Sequence, residues 1–173
     1  MWLSVALRGA IAIVAIFTTS IAMTVLHKSA EEMKGLGPKS ENLVDIKALV
    51  NDPVYLLLGL TVISFGMGGL REELWRAGVL AGLNRLKPGL LDKFPGQLAA
   101  SSLAAIAFGL GHLPQGWTGV GVTALIGLGL GMVMLYFRSM WVAAFAHGFF
   151  DAASFGMIYL LAKYSPDLLN KFT

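Results

Sequence analysis

Long apolar runs separated by short polar breaks dominate the chain. A helix that crosses the hydrocarbon core of a bilayer needs about 20 mostly apolar residues. Breaks rich in proline, glycine and arginine separate most of the runs, as expected at helix ends. The pattern predicts an all-α protein, a polytopic membrane helix bundle of about five hydrophobic helices. The predicted helices span about residues 1–26, 54–86, 97–113, 118–137 and 140–162.

The same segments predict how the chain is organised. The run over 1–26 is longer than the apolar part of a secretory signal and is followed by no clear A-x-A cleavage site, so we predict a retained N-terminal transmembrane helix. Residues 27–52 are predicted to form a polar loop outside the bilayer, with a short helix at 40–50. Residues 53–163 form the predicted catalytic membrane core, and residues 164–173 form a polar tail.

Composition narrows the class of protein. Charged residues make up 13% of the chain, against about 25% in an average soluble domain, and apolar residues make up 56%. So few charges cannot cover a water-soluble globule, which excludes a soluble enzyme, a disordered tail and a coiled coil. The net charge is only +3 and the basic residues are scattered, so no nucleic-acid partner is expected. The lack of cysteine excludes thiolate metal sites and cysteine nucleophiles. What remains is a small integral membrane protein, with the lipid bilayer as a partner.

A few ionisable residues lie inside the predicted membrane core. Such residues are costly in a bilayer and by default mark a functional site. A lone histidine near the end of a span is structural about as often as it is functional. Complementary groups on three helices, however, favour a shared functional site. The groups are Arg71, Glu72, Glu73 and Arg76, then His112, then His147 with Asp151.

Helical spacing predicts that these groups converge. Glu72 lies 14 residues before the end of its predicted helix and His112 lies 15 residues after the start of the next one. Both are therefore about 21–23 Å from the turn that joins these antiparallel helices. His147 and Asp151 are four residues apart and share one helix face. We expect one buried or semi-buried site.

The residue types limit the chemistry of such a site. A carboxylate shielded from bulk water can serve as a general base, and two histidines with an acid can bind a divalent metal or stabilise an oxyanion. No serine or threonine stands within one helical turn of His112 or His147, and Ser154 lies seven residues beyond the latter. A covalent serine mechanism is thus unsupported, and activated water attacking a carbonyl fits better.

Three motifs, in this order, resemble those of the CPBP family of intramembrane proteases, which includes the type II CAAX-prenyl endopeptidases. The family carries a Glu-Glu pair followed closely by Arg-Gly, then Phe-x-x-x-His, then His-x-x-x-Asn or Asp. The resemblance covers about residues 54–162. The matching residues are Glu72-Glu73 with Arg76 and Gly78, then Phe108 with His112, then His147 with Asp151.

The resemblance implies an intramembrane endopeptidase that hydrolyses a peptide bond of a membrane-associated protein or peptide. It also implies a multi-pass protein of the bacterial plasma membrane. Glu72 is then the base that activates water, and Glu73 pairs with an arginine or assists. His112 and His147 act as ligands of a divalent metal such as zinc, which makes the enzyme a metalloprotease, or as oxyanion stabilisers. Asp151 stands where many members have asparagine.

The arginine of the first motif departs from the family pattern. Members place three residues between the second glutamate and the arginine, but here Ala77 occupies that position and Arg76 comes one residue early. A shift of one residue turns a side chain by about 100° around a helix. An alignment on the arginine instead puts Arg71 in the place of the first glutamate. Glu72 and Arg76 also have the i,i+4 spacing of an ion pair, and such a pair would leave Glu73 as the better base.

Two other functions follow from these features. The displaced arginine motivates a catalytically silent family member that acts as a membrane-bound binding or immunity factor. Buried glutamate and histidine can also form the relay of a small proton-coupled transporter, although the chain shows no internal repeat of the kind many transporters have.

Overall fold

The computed structural model describes residues 44–165, and helices make up most of this range. No strand occurs within it, so the prediction of an all-α bundle is confirmed. The predicted helix over 1–26, the loop up to residue 43 and the tail from residue 166 lie outside the described residues. The helices are α1 (Ile46–Asn51), α2 (Pro53–Leu86), α3 (Phe94–Leu110), α4 (Gly116–Phe137) and α5 (Met140–Tyr164), with single 3-10 turns at Leu90–Asp92 and Leu113–Gln115.

Three helical segments within residues 44–165 are long and apolar enough to cross a membrane, and α3 is a shorter apolar helix. In a bilayer the backbone must satisfy its own hydrogen bonds, which favours helices of this length. Large apolar side chains point away from the bundle, as expected when lipid is the solvent. Chain composition and helix length thus agree on an integral membrane protein. The spans are Pro53–Leu86, Leu113–Phe137 and Met140–Tyr164, and outward side chains include Leu57, Leu103, Leu125 and Phe145.

Local capping sets where α2 begins and ends. The Asp52 carboxylate accepts hydrogen bonds from the backbone N–H groups of Val54 and Tyr55, and Pro53 occupies the first helical position. The helix ends at Leu86, before a Lys-Pro-Gly segment in which Gly89 has a φ of +79°. That left-handed conformation suits glycine and turns the chain back into α3. The predicted helix over about 54–86 is therefore present.

The middle of α2 is a π-helix over Gly59–Glu72. Helices with i→i+5 hydrogen bonds are rare and are often found at functional sites. The Ser64 hydroxyl donates to the Gly59 carbonyl, five residues earlier, at 2.6 Å. The π-helix ends at Glu72 and an ordinary α-helix starts at Glu73. Because the helix changes its winding between these two residues, α-helical counting does not give their relative directions.

Glycines allow close approach within two helix pairs, α2 with α5 and α3 with α4. A Cβ atom at Gly69 would lie 2.6 Å from the Ala144 carbonyl oxygen, and one at Gly148 would collide with the Phe65 ring. The two pairs meet in a common core to which α2, α3, α4 and α5 contribute one fully or almost fully buried residue each. These residues are Leu80, Ala100, Met134 and Ala143.

The short helix α1 differs from its prediction. We predicted a surface helix at 40–50, whereas the structure has one at Ile46–Asn51 that packs against α2 and α5. Leu49 is completely buried, and the backbone N–H of Asp45 donates to the Tyr55 hydroxyl at 3.3 Å. The buried Leu49 side chain docks this helix on the bundle.

The α2–α5 contact gives a stability prediction. Gly148→Ala should destabilise the protein by about 1–3 kcal/mol, because the new methyl group displaces the Phe65 ring in a packed interface. Gly156→Ala on the same helix is the control, since its Cβ would meet only Leu60 at 3.9 Å. Thermal unfolding in detergent checks both variants. Equal midpoints for the two variants would contradict the packing described.

Candidate active site

A buried ion pair lies at the centre of the bundle. Glu73 and Arg76 are both fully buried, and Arg76 Nη1 donates to Glu73 Oε1. From α5, His147 Nδ1 contacts the same oxygen at 2.8 Å. A carboxylate paired with a guanidinium is ionised and only accepts, so Nδ1 of His147 carries the hydrogen. Glu73 therefore joins α2 to α5 and fixes the tautomer of His147.

The second nitrogen of His147 faces two other carboxylates. Its Nε2 lies 3.8 Å from Glu72 Oε2 and 3.6 Å from Asp151 Oδ2. Gly68 makes room for this arrangement, because a Cβ there would collide with Asp151 Oδ2 and lie 3.7 Å from His147 Nε2. The prediction that His147 and Asp151 share one face is confirmed. Glu72 and Glu73 reach the same imidazole, but at opposite nitrogens.

The two adjacent glutamates have different environments. Glu73 is completely inaccessible, whereas the Glu72 side chain is 20% exposed. Glu72 pairs at 3.3 Å with Arg71, which is itself 63% exposed. The i,i+4 pair between Glu72 and Arg76, considered from the sequence, is not formed, because Arg76 pairs with Glu73. Although it comes one residue early, Arg76 still contacts a glutamate of the motif.

His112 does not lie on a helix, contrary to the predicted run over 97–113. The α3 helix ends at Leu110, and His112 stands in the connection that precedes the 3-10 turn. Gly109, Gly111 and Pro114 are poor helix formers, which explains the earlier end. His112 Nδ1 donates to the Phe108 carbonyl at 2.9 Å, since a carbonyl can only accept. The Phe108 and His112 rings also lie 4.7 Å apart, so a backbone and a side-chain contact join the two ends of the Phe-x-x-x-His motif.

A cavity of about 430 Å³ opens beside these groups. Glu72 and His112 both line it, so the prediction that they lie at one level is confirmed. Glu72 is the one carboxylate among its lining residues, and Glu73 is not exposed to it. The walls are mostly apolar or aromatic. The lining residues are Arg71, Glu72, Trp75, Ala107, Phe108, Gly111 and His112.

The Phe108 ring connects the cavity to the buried pair. The Arg76 guanidinium carbon lies 4.7 Å from its centroid, a cation–π geometry. The rings of His112 and His147 lie 4.7 and 6.3 Å from it. Trp75, at 6.3 Å, forms the neighbouring part of the wall. Both aromatic residues, Trp75 and Phe108, thus shape the cavity.

The described residues do not form a metal site of three or more ligands. Among residues 44–165, no group of three His, Cys, Asp or Glu side chains is arranged to hold an ion. Nδ1 of His112 and of His147 is used in an internal hydrogen bond, which leaves one ring nitrogen on each. Zinc bound by these histidines stays a prediction.

The chain is an integral membrane protein whose apolar helices enclose glutamates, histidines and a buried arginine. A family model described as Type II CAAX prenyl endopeptidase Rce1-like matches residues 53–153, more than half of the chain. The chain therefore belongs to this family of membrane endopeptidases, as its three motifs indicated. No curated protein and no solved structure matches the chain.

Sequence reasoning missed the glycines that make room for the site. Gly68 lies in the apolar part of the predicted helix over 54–86 and carries no side chain to mark it, yet it accommodates the Asp151 carboxylate. Its spacing, four residues before Glu72, was the available signal. Gly127 and Gly131 have the Gly-x-x-x-Gly spacing that lets membrane helices approach closely, and the structure places them against the Phe108 ring, the Arg76 side chain and the Ser101 hydroxyl.

The two glutamates should differ in their effect on stability. Glu73→Gln should destabilise the protein by about 3–5 kcal/mol, because it leaves the buried Arg76 guanidinium without its counter-charge. Glu72→Gln is the matched control and should change stability by less than about 1 kcal/mol, because its partner Arg71 is solvent-exposed. Equilibrium unfolding of both variants in detergent measures the difference. A similar loss of unfolding free energy in both variants would contradict the buried Glu73–Arg76 pair.

Proposed function

We propose that the chain is an intramembrane endopeptidase that hydrolyses a peptide bond of a membrane-associated protein or peptide with water activated by Glu72. One observation carries the assignment of the base. Of the two motif glutamates, only Glu72 lines the cavity, and it does so together with His112. Membership of the endopeptidase family supports the reaction class.

Glu73 is a poor candidate for the base. Its Oε1 accepts hydrogen bonds from both Arg76 and His147, and the whole side chain is inaccessible. A general base must come within hydrogen-bond reach of the proton that it removes, directly or through one water. We assign Glu73 the role of positioning His147, and Arg76 the role of holding Glu73.

The proposed reaction consumes one water and no other reagent. Glu72 accepts a proton from water in the cavity as the water oxygen forms a bond to the scissile carbonyl carbon. The carbon–nitrogen bond then breaks, and Glu72 returns the proton to the leaving nitrogen. The products are a carboxylic acid and an amine. General base catalysis of this kind contributes roughly 10²–10⁴ in rate.

The two histidines have separate proposed roles. With Nδ1–H of His112 committed to the Phe108 carbonyl, its Nε2 is left to orient the water or, when protonated, to donate to the oxyanion. His147 Nε2 lies 3.8 Å from Glu72 Oε2 and 3.6 Å from Asp151 Oδ2, and when it is protonated its positive charge orients the Glu72 carboxylate at the cavity wall. The observation that supports the role of His112 is that it lines the cavity. The other titratable residues that line it are Arg71 and Glu72.

The cavity wall supports a substrate with apolar character. Trp75, Ala107, Phe108 and Gly111 offer aromatic and small apolar surfaces beside Glu72. The family description names a CAAX prenyl endopeptidase, and a prenyl group is apolar. We propose a membrane-associated peptide of this general kind as the substrate class.

Glu72→Gln should lower kcat on a membrane-associated peptide by at least about 100-fold while the protein stays folded, because the amide cannot accept the proton of water. Turnover of a fluorogenic CAAX peptide, with and without its prenyl group, is measured in proteoliposomes. Asp92→Asn, a carboxylate change in the connection between α2 and α3, is the control and should leave kcat unchanged.

Other outcomes of that experiment identify the alternatives. Full turnover by Glu72→Gln would remove Glu72 as the base. Absence of turnover by the natural sequence, with a cellular phenotype that survives Glu72→Gln, His112→Ala and His147→Ala, would favour the non-catalytic factor. Proton-coupled uptake into the proteoliposomes would favour the transporter.

Gly68→Ala should lower kcat by at least about 10-fold with little loss of stability. Its methyl group displaces the end of the flexible Asp151 side chain beside His147 Nε2, which moves the site without disrupting the backbone. A shift of about 1 Å at a catalytic group can cost about 100-fold. Gly66→Ala, two residues away, meets only Val62 at 4.0 Å and should behave like the natural sequence. Equal kcat values for both variants would argue against a role for this contact.

A further inference from the structure

Three buried polar atoms behind the site have no hydrogen-bond partner among residues 44–165. They are Arg76 Nε, Arg76 Nη2 and Ser101 Oγ. Arg76 is completely buried and Ser101 is 1% exposed. Buried polar groups in native proteins are almost always bonded to protein or to ordered water, because a buried group without a partner is unfavourable. These three atoms therefore need an explanation.

These atoms, from α2 and α3, pack against one face of α4, where two glycines leave room for them. A Cβ at Gly127 would stand 3.4 Å from Arg76 Nη2, and one at Gly131 would stand 3.2 Å from Ser101 Oγ and 3.6 Å from Arg76 Cδ. The Arg76 side chain thus runs from Gly131 to Gly127, with Ser101 beside its near end. The Phe108 ring covers the guanidinium at 4.7 Å and also lines the active-site cavity.

We propose that Arg76 and Ser101 bind an internal water molecule between α2, α3 and α4. The water oxygen accepts from the guanidinium N–H groups, and the water exchanges a hydrogen bond with the Ser101 hydroxyl. A buried water typically makes about three such bonds. Glu73 Oε2, the fourth buried side-chain atom without a partner in the described range, is a further acceptor close to the guanidinium.

Charge favours water over an anion in this site. Glu73 already neutralises Arg76, so a second anion would add an uncompensated charge in a region of low dielectric constant. Water satisfies the remaining N–H groups without changing the net charge. The bound water then holds the guanidinium in the orientation in which Nη1 reaches Glu73. This inference does not depend on the proposed peptidase activity.

A structure of the full chain in lipid, at a resolution that shows ordered water, tests the site directly. We expect density within about 2.7–3.2 Å of Ser101 Oγ and of Arg76 Nε or Nη2. The proposal is overturned if these atoms bond to another protein group or to each other, or if the space beside Gly131 holds no density. An ion in place of water would also overturn it.

A double-mutant cycle provides a second test. Ser101→Ala should lower the thermal midpoint by about 2–4 °C in the natural sequence, because the water loses a partner. In an Arg76→Met background the same change should have almost no effect, since no guanidinium remains to be satisfied. Ser64→Ala is the control, because its buried hydroxyl bonds to the Gly59 carbonyl instead.

The control, Ser64→Ala, should lower the thermal midpoint by the same amount in both backgrounds. An equal effect of Ser101→Ala in the two backgrounds would contradict a water shared with Arg76. If Arg76→Met does not fold, Gly131→Ala, which places a methyl group 3.2 Å from Ser101 Oγ, replaces it in the cycle with Gly121→Ala as control. Ser101→Ala should then lower the thermal midpoint less in the Gly131→Ala background, where the methyl group displaces the water. In the Gly121→Ala background it should lower the midpoint as much as in the natural sequence.

Discussion

The ion pair between Glu73 and Arg76 is the interaction on which the rest of the site depends. A single charge at this depth in an apolar bundle would be strongly unfavourable, whereas a hydrogen-bonded pair is tolerated. The pair also needs neighbours from every other long helix. His147 on α5 donates to Glu73, Phe108 on α3 covers the guanidinium, and Gly127 on α4 leaves space for it. Residues from four helices thus surround this one buried ion pair.

This pair explains how two adjacent glutamates come to differ. Glu73 is locked between a guanidinium and an imidazole, so the role left to it is to hold other groups. Glu72 lies at the end of the π-helix and faces the cavity and the second nitrogen of His147. The change in helix winding between them separates a structural carboxylate from an accessible one. The proposed base is the accessible one.

Much of the fold was predictable because lipid leaves the backbone few choices. The helices at Pro53–Leu86, Gly116–Phe137 and Met140–Tyr164 begin and end within about two residues of the predicted bounds. The prediction that His112 lies on a helix was wrong, because the apolar residues continue past Leu110, where α3 ends. The helix prediction was also incomplete for α1, whose buried Leu49 stands in a polar segment.

The sequence by itself determined the solvent, the helical class and the family, since these follow from apolar run length and from motif spacing. It also identified the ionisable residues that meet in the bundle. Only the tertiary structure decided that Arg76 pairs with Glu73 instead of Glu72, and which nitrogen of each histidine carries the hydrogen. Both glutamates were within reach of Arg76 along the helix. The choice depended on His147, Phe108 and Gly127, whose positions around the pair no spacing along the chain specifies.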